Sequence, residues 1–315
     1  MPKRISIGSW AYTIGPYADH PVPFDTVCSR VKDLGLDGVE LGAFPPHPNP
    51  GNPSGPDSEW PGAMPEKSQR DELRAKMRAL GLAFSGIAAN LWSEKLINTD
   101  DQTKYIAEFK RNSEFARDLG IQGVRVDCVQ PPTIHREIDY QTAMERVVKT
   151  WKVCCQIAAD NGQYVTWEFE PGFAFNKPSD ILRIHDAVGE ANFGLLYDTC
   201  HGQMVGVNGA RQEGAKEVFP SQAEFLRALS GRINHVHLID SDNTCHQDAG
   251  GNDETSAHPP FGMGVLDFDA ILPELVKACR SPHDWWTIDL CFYPDAWAAT
   301  ESCKKRVDEL NLRYG

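Results

Sequence analysis

Phe193-Gly-Leu-Leu-Tyr-Asp198-Thr-Cys-His201-Gly202 is an apolar run that stops abruptly at an acid and is followed, three residues later, by an imidazole. Bounded by Gly and polar groups, it predicts a strand covered on both faces, as in a parallel sheet, with Asp198 delivered to its end. Parallel sheets bind ligands at that end, which makes Asp198 and His201 candidate site residues. A strand-end Asp also caps whatever loop or helix follows, and D-x-x-H by itself does not separate the two roles. The neighbouring segments do.

Working outward, the same unit of strand then helix recurs along the chain. Ile5-Ser-Ile-Gly-Ser-Trp10, Asp37-Gly-Val-Glu-Leu41, Leu82 to Ala88, Ile121 to Asp127 and Tyr164-Val-Thr-Trp-Glu168-Phe-Glu170 precede the opening stretch as strands. Ile233-Asn-His-Val-His237-Leu and Trp285-Trp-Thr-Ile-Asp289-Leu follow it. Helical spacing fills the gaps, from Phe24 to Gly35, Pro65 to Gly81, Asp101 to Gly120, Tyr140 to Gly162, Pro178 to Gly189, Ser221 to Gly231 and Phe268 to Arg280, and a last helix runs from Ala296 to Leu312. Alternation of this kind argues for parallel strands. Eight units, and no G-x-G-x-x-G after the first strand, favour a closed (β/α)8 TIM barrel over an open dinucleotide-binding sheet. No linker composition divides the chain, so one domain over residues 1–315 is expected. Three connections read as long loops: Gly42 to Met64, rich in Pro and Gly; Thr199 to Pro220; and Ile239 to Leu266. All three follow strand ends and belong to the active face of a barrel. The first is a candidate lid or subunit contact.

Composition narrows the function classes. A net charge of −13 opposes attraction to nucleic acid or anionic membrane and suits a small polar substrate or a divalent cation. No apolar run of signal-peptide or membrane-span length is found, and a cytoplasmic protein is expected. Nine scattered cysteines with no C-x-x-C pair indicate neither a disulfide framework nor a thiolate zinc site.

The polar residues that end the last strands are Glu168, Asp198, His237 and Asp289. Carboxylates closing strongly apolar runs are costly to bury without compensation. Arg125 is the main basic residue at the strand ends. Three carboxylates and one imidazole converging from four consecutive strands form an O3N set that suits Mn²⁺, Mg²⁺ or Co²⁺ better than structural zinc.

Trp-Glu168-Phe-Glu-Pro-Gly172, Tyr-Asp198-Thr-Cys-His201, His235-Val-His237-Leu-Ile-Asp240 and Ile-Asp289-Leu together resemble the xylose isomerase-like barrel superfamily of sugar isomerases and epimerases. The likeness runs over nearly the whole chain, from Gly-Leu-Asp-Gly-Val-Glu40-Leu onward. It implies one divalent metal, Mn²⁺ first, with Mg²⁺, Co²⁺ or Zn²⁺ as alternatives, held by Glu168, Asp198, His237 and Asp289. Asp289 is a departure, because the usual residue there is Glu, one methylene longer. Glu170 shares a face with Glu168 by strand alternation and is a candidate substrate contact, as is His201. His258-Pro-Pro-Phe-Gly262-Met-Gly264 resembles the family's glycine-rich return that lines the substrate cavity, which makes His258 a candidate too. His135 and Trp10, at the ends of the fourth and first strands, complete the substrate set.

A cation held by carboxylates can chelate a carbonyl and a neighbouring hydroxyl and stabilise an enediolate. Glu168 and Asp289 are the expected proton-transfer pair, and isomerisation or epimerisation of a ketose or keto-polyol is the expected reaction. The alternative is a lyase or dehydratase acting by β-elimination on an oxidised sugar, such as a 3-keto glycoside or an inosose. Apurinic-site endonucleases share the barrel, but their metal cluster needs further ligands: Ser256 stands where an Asp would precede the loop histidine, and Asn90 stands on a third loop without a histidine. A non-catalytic sugar-binding subunit is the remaining reading. A homo-oligomer is expected, with a small partner subunit as a further option.

Overall fold

The eight apolar runs pair in parallel into one closed barrel. A computed structural model describes residues 2–51, 64–248 and 250–315. The barrel strands are β1 (Arg4–Gly8), β2 (Gly38–Gly42), β3 (Ala83–Ala88), β4 (Gly123–Val126), β5 (Tyr164–Glu168), β6 (Phe193–Asp198) and β7 (Ile233–Leu238). Two short strands, β8 (Cys245–Gln247) and β9 (Asp253–Ser256), form an antiparallel hairpin outside the barrel, and β10 (Trp285–Ile288) closes it between β7 and β1. No helix among the described residues is long and apolar enough to cross a membrane.

Strand alternation sorts the side chains. Trp167 packs outward on Trp151 of the helix Tyr140–Asp160, ring centroids 5.2 Å apart, while its neighbour Glu168 turns inward. Tyr197 donates outward to Gln222 at 2.8 Å, and Asp198 turns inward. The helices bury one face each, and several stop where glycine permits a left-handed residue, as at Gly120 with φ 81° after Thr103–Leu119. The barrel interior is polar at its floor: the hydroxyls of Ser6, Ser85 and Thr287 are linked at 2.8 Å through Ser6.

Several boundaries differ from the sequence reading. The first strand ends at Gly8, and a 3-10 turn, Ser9–Tyr12, folds the Trp10 ring back over it. A Cβ at position 8 would lie 2.2 Å from that ring, so glycine is required there. Thr199 to Pro220 is not a plain loop: it begins with the helix Thr199–Gly206, initiated by Asp198, whose side chain accepts from the amides of Cys200 and His201. Ile239 to Leu266 contains the β8–β9 hairpin. Of the Pro-rich segment 42–64, residues 52–63 lie outside the described residues, and with them Trp60 and most of the expected lid or contact.

Candidate metal and substrate site

Glu168, Asp198, His237 and Asp289 converge at the C-terminal ends of β5, β6, β7 and β10. One ligand atom from each falls within 4.8 Å of all the others, and all four residues are buried. His237 Nδ1 sits between Glu168 Oε1 at 3.1 Å and Asp289 Oδ2 at 3.2 Å. Both Glu168 oxygens and Asp198 Oδ2 are buried without a hydrogen bond of good geometry among the described residues. Such groups are expensive to leave unsatisfied, and a divalent cation satisfies all of them at once. The donor set therefore fits a metal ion.

The two flanking carboxylates are held differently. Asp289 Oδ1 accepts from Trp10 Nε1 at 2.7 Å and from Cys291 Sγ at 3.1 Å, which leaves Oδ2 for the centre. Glu168 Oε2 is paired with Arg125, the residue the sequence offered as the main counter-ion. Arg125 is buried on β4 and meets three carboxylates: its Nε donates to both oxygens of Asp127 at 2.8 and 3.0 Å, Nη1 pairs with Glu168, and Nη2 donates to Glu170 at 2.9 Å. The guanidinium thus neutralises part of the cluster, and Asp198 and Asp289 are left without a guanidinium of their own among the described residues.

Electrostatics follow from this placement. Burial pushes Asp198 well above the usual carboxylate range, and Asp289 and Glu168 push the same way. In Glu168 burial is outweighed by Arg125 and His237, and the carboxyl is lowered. In Asp289 burial is outweighed by His237, His258 and the Trp10 bond, and the carboxyl is held well down. His237 is raised well above an ordinary imidazole, because Glu40 and Glu168 overcome burial. Burial lifts Glu170 to about 8. It also drops His201 to about 3 and lowers His258.

Above the four donors lies a cavity of about 530 Å³, lined by Trp10, Glu168, Glu170, His201, His258 and Asp289 together with residues of the β8–β9 hairpin. His201 Nδ1 is 2.9 Å from Ser256 Oγ, and its Nε2 is 3.8 Å from Glu170. The second oxygen of Glu170 accepts from Thr255 at 2.5 Å. His258 Nε2 stands 3.9 Å from Asp289 and 4.0 Å from Asp198, and neither of its ring nitrogens has a hydrogen-bond partner among the described residues. Of the nine candidate residues, eight come together here. His135 does not: the 3-10 turn Pro132–Arg136 carries it into a separate cleft beside Tyr140 and Asp180, where its Nε2 meets the Ala174 carbonyl at 3.0 Å.

Sequence reasoning passed over Glu40. It is buried on β2, 2.6 Å from His235 Nε2 and 3.2 Å from His237 Nε2, so it stands behind the imidazole, on the side away from the other acids. An acid in the middle of Gly-Val-Glu-Leu-Gly, with apolar neighbours on both sides, is the signal that could have found it. Asp127, Thr255, Ser256 and Cys291 also contribute, and no local pattern announces them.

Residues 28–279 match the family model of the xylose isomerase-like TIM barrel. Curated relatives include the probable endonuclease 4 of Mycobacterium tuberculosis (strain ATCC 25177 / H37Ra), 30% identical over 102 residues, which is 32% of this chain and 34% of that protein. The chain matches about a third of the length of these relatives. Among solved structures, the IOLI protein with a bound zinc atom has a TM-score of 0.69 at 18% identity, covering 99% of both chains. An L-ribulose 3-epimerase has 0.69 at 16% identity, covering 99% of this chain and 95% of the other. The probable 3-DHS dehydratase AsbF from Bacillus anthracis has 0.69 at 16% identity, covering 97% and 98%. At these identities the likeness is one of fold.

Proposed function

The chain belongs to the xylose isomerase-like TIM-barrel family, and from that premise we propose that it is a divalent-metal-dependent isomerase or epimerase of a ketose or keto-polyol. The observation that carries the proposal is the four-donor cluster, Glu168, Asp198, His237 and Asp289, within 4.8 Å at the floor of a cavity. These four would hold the cation, and the O3N set suits Mn²⁺, with Mg²⁺, Co²⁺ and Zn²⁺ as alternatives. When bound, the cation supplies a Lewis acid for a carbonyl and its neighbouring hydroxyl.

The side chains supply the rest. Glu168 is the base, because its oxygens lack good hydrogen bonds and Arg125 keeps it ionised. It takes the proton from the carbon next to the carbonyl. Asp289 serves the other face through Oδ2 alone, since Oδ1 is tied to Trp10 and Cys291. His258, 3.9 Å from that oxygen, is placed to relay the proton. His201, Glu170 and Trp10 orient substrate hydroxyls from the cavity wall, with His201 neutral. Glu168 takes one proton from the carbon and Asp289, resupplied through His258, delivers another from the opposite face; both carboxyls exchange with solvent between turnovers, so the cycle balances. Incubating Mn²⁺-loaded protein with a panel of ketoses in D₂O tests the reading. Deuterium enters beside the carbonyl if it holds, and an absence of exchange with every ketose sinks it.

One observation favours a lyase or dehydratase as the second reading: the cavity extends past the donors to aromatic walls at Phe44, Trp92 and Phe292, room for a leaving group. Product mass separates the two, since elimination changes it and isomerisation does not. The endonuclease-like stretch of the curated relatives leads to a weaker reading, because Ser256 and Asn90 occupy positions where a larger metal cluster needs ligands, and a charge of −13 disfavours a polyanion.

A further inference from the structure

The charge of the cavity wall says something about the substrate that the metal cluster does not. Six carboxylates and two guanidiniums line the cavity, and a divalent cation added to them leaves the balance negative. Neither guanidinium reverses that balance. Arg125 is spent on Asp127, Glu168 and Glu170. Arg211 donates to the Glu254 backbone carbonyl at 2.8 Å and stands beside the acids of the hairpin. Those acids, Asp248, Asp253 and Glu254, sit at the mouth, the last two exposed. Lysine is absent from the described lining, and residues 52–63 contain neither lysine nor arginine. Buried and unpartnered His258 marks the cavity as built for a ligand with hydrogen-bonding groups.

We infer that this cavity selects an uncharged polyhydroxy compound and rejects its phosphorylated or carboxylated counterparts, with Asp248, Asp253 and Glu254 as the residues that set the discrimination. An anion entering here meets like charge at the mouth and, within, a guanidinium already saturated with carboxylates. Hydroxyl groups meet no such penalty and find acceptors in the same carboxylates and in the two imidazoles. The inference rests on the reading of the cavity as a sugar site, and deuterium exchange tests that reading separately.

The test is a binding measurement on a ligand that cannot react. Calorimetric titration of the Mn²⁺-loaded protein with a linear hexitol and with its phosphate monoester, at low ionic strength, gives two dissociation constants. The hexitol is expected to bind more tightly, by a factor on the order of a hundred. Phosphate has an affinity of its own for the cation, which sets the comparison against the inference. In the triple variant Asp248→Asn, Asp253→Asn, Glu254→Gln the preference narrows through tighter binding of the phosphate ester. A carboxamide at position 248 keeps the oxygen that accepts from the backbone amides of Gly250 and Asn252, so the hairpin turn is retained. Equal or tighter binding of the phosphate ester by the unaltered protein, or binding of neither compound, overturns the inference. An unchanged ratio in the triple variant overturns the assignment to the mouth.

Discussion

His237 divides the barrel interior into two polar regions of opposite character. Behind it, at Nε2, Glu40 is met by His235 at 2.6 Å and by the Thr287 hydroxyl at 3.0 Å, and the hydroxyls of Ser6 and Ser85 continue the chain. In front, at Nδ1, Asp198 Oδ2 and both nitrogens of His258 are buried without a hydrogen-bond partner among the described residues, and Glu168 meets only His237 and the charge of Arg125. Both regions are buried within the same barrel. The difference is one of degree: behind, His237 Nε2 alone lacks a hydrogen bond of good geometry and still has the Glu40 charge at 3.2 Å, whereas the front network needs an added group. A closed network specifies a fold, whereas an open one of the same burial is tolerated when a ligand completes it.

The sharpest test of that contrast is Asp198→Asn. Asn still caps the helix Thr199–Gly206, but the charge is gone, so Mn²⁺ affinity should fall by more than the roughly 10–100-fold typical of residues that only support a ligand. The metal-free protein should melt no lower, since a buried carboxylate repelled by Asp289 and Glu168 has been removed. Calorimetric metal titration and thermal unfolding of the same samples read both. A large fall in melting temperature with intact metal affinity would break the distinction.

Glu40→Gln should do the reverse. It strips the rear network of its anion and leaves His235 and His237 uncompensated, at a cost of roughly 3–5 kcal/mol in denaturant unfolding of the metal-free protein. An unchanged unfolding midpoint would show that the rear network is not structural.

Metal uptake should also be linked to pH. In the metal-free protein Asp198 and His237 are both raised and so keep their protons to higher pH than the free groups do, whereas a cation requires both to be deprotonated. Below both transitions binding should release up to about two protons, and affinity should rise there with pH by up to about a hundredfold per unit. Titrations in buffers of different ionisation enthalpy measure the release directly. The smallest effect is expected from Trp10→Phe, which keeps the ring beside His237 but frees Asp289 Oδ1 from its 2.7 Å bond: about tenfold in metal affinity, with unfolding nearly unaltered.

The barrel was legible because short, largely apolar runs alternate with helical spacing eight times, and the last four strands carry a carboxylate or imidazole at or beside their ends. Period-two alternation then turned Glu168, Asp198 and His237 inward together. What escaped was set by contacts between distant segments. Arg125 meets Glu168 and Glu170 across forty-odd residues, and no spacing rule predicts that one guanidinium takes three acids. The helix Thr199–Gly206 carries Gly202 and Gly206 and has little propensity of its own, so it read as loop; its start depends on the cap from Asp198. His135 read as a site residue because it follows a strand, but Pro131 and Pro132 start a turn that swings it aside.

Position 198 carries two demands on one side chain. Oδ1 accepts from the amides of Cys200 and His201, at 2.7 and 2.9 Å, while Oδ2 is left free toward His237. Asparagine or serine would serve the helix and forfeit the charge. Glutamate would keep the charge but, one methylene longer, would lose the short reach to those amides. At 198 only aspartate satisfies both demands, which leaves this position no room to drift.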